Sequence, residues 1–71
     1  MNDGEYSLVK WQYHRAGDFT NALFGALMRA DQHNLNRFKL AFPEETEAYD
    51  RYAHEPGYWD ALKKESGMEN L

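Results

Sequence analysis

The chain has no cysteine. Disulfides and thiolate metal sites are therefore excluded, and the composition fits a reducing compartment. Its five glycines are scattered singly, so no glycine-rich phosphate loop can be assembled. There are only two serines, Ser7 and Ser66, and neither stands in the setting of a serine nucleophile. The longest apolar stretch, Leu23-Phe24-Gly25-Ala26-Leu27-Met28, falls far short of the roughly 20 residues that cross a bilayer. Met1-Asn2-Asp3-Gly4-Glu5 lacks the basic region and apolar run of a signal peptide, so a cytoplasmic location and no membrane contact are expected.

What is plentiful is aromatic. Two Trp, five Tyr and four Phe stand among 71 residues. A chain of this length buries only about 60% of the surface that its unfolded form exposes. Large rings, which remove much apolar area at little rotamer cost, suit so thin a core. Charge is uneven as well. Residues 1–43 carry a net charge of +1 and residues 44–71 a net charge of −5. A net acidic chain gains nothing from a phosphate backbone, which disfavours nucleic acid and favours a protein partner with a basic surface.

Apolar spacing predicts an all-α fold, a compact bundle of three to four short helices in one domain over residues 1–71. Residues 1–5 and 68–71 are expected to fray. Residues 6–14 are ambiguous: Val9, Trp11 and Tyr13 alternate like a strand, whereas Tyr6, Val9 and Tyr13 lie near one helical face. No second strand-like run could pair with them, so we expect a short helix or an extended arm. Asp18 is the expected N-cap of a helix from about Phe19 to Ala30. Phe19, Ala22, Leu23, Ala26, Leu27 and Ala30 form its core stripe, with Phe24 and Met28 as a second ridge. So apolar a helix should be central. Its second ridge should be covered by the N-terminal segment or by a second copy in a homodimer. Asp31 caps a helix over about 32–42, with Leu35, Phe38, Ala41 and Phe42 inward and Leu40 off that face. Pro43 breaks the chain and opens a third helix, to about Ala53, whose first turn holds Glu44, Glu45 and Glu47. Ala48, Tyr49, Tyr52 and Ala53 should face inward. After His54-Glu55-Pro56-Gly57, a last helix from about Tyr58 to Glu65 turns Tyr58, Trp59, Ala61 and Leu62 inward and ends near Gly67.

No catalytic set emerges, and the chain is not expected to be an enzyme. The three glutamates after Pro43 are better explained by the helix dipole than by acid–base chemistry. His14, His33 and His54 lie in separate segments without ligand spacing, so neither metal nor cofactor is expected. His54 with Glu55 and Asp60 could chelate a metal, but a surface histidine beside the Pro-Gly break accounts for the same residues. The helix over 32–42 could imitate a DNA-reading helix through Gln32, Asn36, Arg37 and Lys39. A continuous basic face there would favour a nucleic-acid-binding regulator. Seven amphipathic rings exceed what so small an interior holds, and tyrosine and tryptophan suit binding surfaces. Trp11, Tyr13 and Trp59 are the rings expected at a partner, with Glu47 and Asp50 as the acidic contribution.

The runs His14-Arg15-Ala16-Gly17-Asp18-Phe19, Ala30-Asp31-Gln32-His33-Asn34-Leu35, Phe42-Pro43-Glu44-Glu45-Thr46-Glu47-Ala48-Tyr49 and Pro56-Gly57-Tyr58-Trp59 resemble short uncharacterised proteins carried by bacterial phages and related mobile elements. The resemblance covers about residues 11–62 and brings no active site with it. It implies a host–virus setting in a bacterial cell. Small acidic phage proteins of this class include inhibitors of host defence, such as anti-CRISPR proteins, which bind an effector and block its nucleic-acid channel. A structural phage component is the other role that this setting admits.

Overall fold

The computed structural model describes residues 1–67, and among them it holds five α-helices and no strand. They are α1 (Asp3–Gln12), α2 (Asp18–Arg29), α3 (Gln32–Ala41), α4 (Pro43–His54) and α5 (Tyr58–Ser66). The all-α expectation is met, with one helix more than the three to four anticipated.

The extra helix comes from the N-terminal segment. The helix starts at Asp3 behind a cap: the Asn2 side chain accepts from the Glu5 N–H at 2.8 Å, and the Asn2 N–H donates to the Glu5 carboxylate at 3.1 Å. This reciprocal cap satisfies two of the donors that a helix start leaves free. α1 ends in a Schellman turn, with the Arg15 N–H on the Lys10 carbonyl and the His14 N–H on the Trp11 carbonyl. His14 takes the left-handed position, φ 58°, that glycine usually fills. Alternation in residues 6–14 was misleading because Leu8 and Val9, adjacent in sequence, are both fully buried.

α2 begins differently from expectation. Gly17 is its N-cap, and Asp18 is the first helical residue, making no capping hydrogen bond. Its carboxylate sits in the first turn, where the helix dipole favours it. Asp31 does cap α3, accepting from the Asn34 N–H at 2.9 Å. Pro43 opens α4, where its missing N–H costs nothing. Gly57, at φ 82°, turns the chain from α4 into α5, and Gly67 ends α5.

The core gathers Leu8 and Val9 from α1, Leu23, Phe24 and Leu27 from α2, Ala48 from α4, and Tyr58 and Leu62 from α5. The central helix is α4, which packs against all four others; α1 is next. α2 lies at the side, and its inner face is Leu23, Phe24 and Leu27, rotated from the expected stripe. Phe19, 66% exposed, and Ala22 and Ala26 face solvent. Phe24 is fully covered, by Trp11 of α1, while Met28 stays in solvent. α3 buries no residue completely, and Leu40 is 88% exposed, as its place off the inner face predicts. Ala41, Ala53 and Ala61, expected inside, are exposed. Two inward positions escaped the apolar pattern. Thr46 of α4 is fully buried. Gly4 of α1 lies against the backbone of Glu44 and Glu45, where any Cβ would collide, and this lets α1 and α4 cross closely.

Candidate interaction surfaces

A continuous set of rings runs through the bundle. Trp11 stacks on Phe24 at 5.2 Å between ring centres and meets Tyr49 and Tyr52 edge-on at 6.5 and 6.4 Å. Tyr52 meets Trp59 edge-on at 5.7 Å, and Trp59 lies 6.0 Å from Tyr13. These are the geometries that the ring quadrupole prefers. They fasten α1, α2, α4 and α5 together. Trp11, Tyr13 and Trp59 are each only half-buried, so all three keep surface in solvent.

Glu47 and Asp50 stand in solvent on α4, three residues apart and so on one helical face. With Lys39 and Pro43 they line a shallow recess of about 340 Å³. Asp50 also lies 3.2 Å from the His54 ring. The fold thus brings Glu47 to Asp50, and Tyr13 to Trp59 and through Tyr52 to Trp11. It does not bring the acidic pair onto the rings. Ala48, Tyr49 and Tyr52 occupy the packed side of α4, and Glu47, Asp50 and His54 the outer side. Carboxylates and rings meet elsewhere, at the α4–α5 corner. There Tyr52, Trp59, His54, Glu55 and Asp60 surround a recess of about 350 Å³.

The corner carboxylates have partners of their own. Arg51 holds Glu55 through two bonds of 3.1 and 2.9 Å, which keep that carboxyl below its ordinary range. Lys63 lies 3.2 Å from Asp60 and over the Trp59 ring. His54, Glu55 and Asp60 are therefore drawn to three different neighbours. No group of His, Asp and Glu with metal-holding geometry occurs among the described residues.

Two polar contacts join the start of the chain to α5: the amino terminus of Met1 lies 3.3 Å from Glu65, and a hydrogen bond links Tyr58 to Glu5. The Tyr58 hydroxyl donates to Glu5 at 2.7 Å, joining α5 to the start of α1. Arg51 covers the Tyr58 ring at 4.2 Å. The hydrogen bond from Tyr58 holds the Glu5 carboxyl below its ordinary value against the opposing effect of burial, with lesser help from the Asn2 backbone, the amino terminus and Arg51. Burial and the same bond push the Tyr58 phenol far above its own. Sequence reasoning missed this pair, because Glu5 fell in a segment expected to fray.

On α3, Arg37 and Lys39 do not form a continuous basic face. Arg37 lines a cleft with Asn34, Phe38, Ala41 and Phe42, whereas Lys39 lines the recess beside Glu47 and Asp50. Between them the outer side of α3 presents His33, Asn36 and Leu40. Gln32 and Asn36 bond each other at 2.9 Å. No helix among the described residues is long and apolar enough to cross a membrane. No family model, curated protein or solved structure matches the chain.

Proposed function

We propose that this chain is a non-enzymatic protein-binding module that meets a basic protein surface through the outer face of α4. The observation that carries the reading is the placement of Glu47 and Asp50. Both are solvent-exposed on a helix whose other side is taken up by four packed neighbours, so the scaffold presents them at the surface. Exposed rim charges act mainly on association rate and its salt dependence. The half-buried Tyr13 and Trp59, beside the α4–α5 corner, supply amphipathic contact area at a separate point. The resemblance to phage and mobile-element proteins supports a setting inside a bacterial host cell. There the partner would be a basic host protein, such as a defence effector whose nucleic-acid site the acidic face would fill.

The split of Arg37 from Lys39 speaks against the alternative of a nucleic-acid regulator using α3. A pull-down from host lysate identifies the partner. On-rates for parent and for Glu47→Lys/Asp50→Lys at two salt concentrations then test the reading. The charge reversal should leave the helices intact and slow association, with the loss shrinking at higher salt, where the Debye length falls below about 8 Å. An on-rate indifferent to both changes removes the acidic face from the reading and leaves the rings of Trp11, Tyr13 and Trp59.

A further inference from the structure

A second surface, independent of Glu47 and Asp50, lies where the start of α2 meets the junction of α3 and α4. Phe19, in the first turn of α2, is 66% exposed although it is a large apolar side chain. Its ring centre lies 5.8 Å from Phe42. Phe42 is itself part of a cleft of about 350 Å³ lined by Asn34, Arg37, Phe38, Ala41 and Phe42. A protruding ring and an apolar hollow therefore share one patch. Exposed Ala22 and Ala26 continue it along α2. Charge follows the same arrangement. Asp18 precedes the protruding Phe19, and Arg37 lines the hollow; neither has an ion-pair partner among the described residues.

We infer that this patch is a two-fold interface between two copies of the chain, each placing Phe19 in the other's cleft and Asp18 against the other's Arg37. A two-fold contact requires one patch to carry both halves of the match, so that residue i meets j and j meets i. This patch carries both the ring and its hollow, and both the acid and the base.

Sedimentation of the purified full chain from about 1 μM to about 1 mM tests the inference. The mass should rise from 8.4 kDa toward twice that value. Phe19→Glu, at an exposed position, should stay monomeric with its helical circular dichroism unchanged. Asp18→Arg and Arg37→Asp should each weaken the dimer roughly tenfold or more, since each sets like charges together across the axis. An equimolar mixture of those two variants should dimerise again, because both cross-axis pairs become opposite in sign. A parent that remains monomeric at the highest concentration overturns the interface and leaves the cleft to another protein. So does a dimer that survives Phe19→Glu, or a mixture of folded charge variants that stays monomeric. Should a charge variant lose its helices, the parent and Phe19→Glu decide the matter alone.

Discussion

Thr46 sits fully buried on α4, and its hydroxyl oxygen has no hydrogen-bond partner. A buried polar group left unpaired costs about 1–3 kcal/mol of desolvation. Valine has the same shape without the hydroxyl. Thr46→Val should therefore stabilise the chain by about 1 kcal/mol, read as a higher urea midpoint at unchanged slope. A lower midpoint would mean that the hydroxyl is satisfied after all. Gly4 and Asp18 make a related point about single residues. Gly4 is required where α1 crosses the backbone of α4, while Asp18 stands one residue inside the helix that it was expected to cap. Residue type told what each could do, and packing decided what each does.

Between helices, the side-chain hydrogen bond of greatest sequence reach among the described residues is Tyr58 to Glu5, which ties α5 to α1. Its pH dependence follows from the two shifts. The folded Glu5 carboxyl titrates below its ordinary value of 4.5. Its contribution is present above that pH and is lost as the pH falls through the folded value. The folded Tyr58 phenol titrates above its ordinary value of 10.0. Its contribution is complete below that pH and is lost as the pH rises toward the folded value. Thermal unfolding midpoints should thus fall on both the acid and the alkaline side. Tyr58→Phe should flatten the alkaline fall and weaken the acid one, while Glu5→Gln should mainly flatten the acid one. A Tyr58→Phe profile parallel to the parent at every pH would show that the bond does not persist in solution.

For the whole molecule, the decisive feature is that α1 is an integral part of the bundle. Residues 1–14 contribute Leu8, Val9, Trp11 and Tyr13 to the core or its border. They also provide the principal neighbour of α4. Burying one such side chain is worth about 1.5–3 kcal/mol, and a domain of this size has only about 5 kcal/mol to lose. Deleting residues 1–14 should therefore abolish cooperative unfolding, leaving a low-helicity chain without a sharp thermal transition. A soluble fragment that still melts cooperatively would reduce α1 to an appendage. The expected loose tail at 68–71 lies outside the described residues.

The local sequence by itself determined where most helices begin and end. Asp31, Pro43, Gly57 and Gly67 act on backbone groups within a few residues, so their effects need no distant partner. It also marked Leu40 as the odd apolar residue, and the absence of any second strand-like run as a bar to a sheet. Tertiary structure decided which side of each helix faces in. On α2 apolar residues flank Leu23 and Leu27 on both sides, so periodicity could not choose whether Phe19, Ala22 and Ala26 or Phe24 would join them inside. The choice fell to Trp11, which stacks on Phe24 from another helix. The same holds for the candidate surfaces. Glu47 and Asp50 lie close in sequence, so their shared face was legible. The separation of that face from the rings, and the meeting of Phe19 with Phe42, depend on contacts between distant segments, which no local pattern encodes.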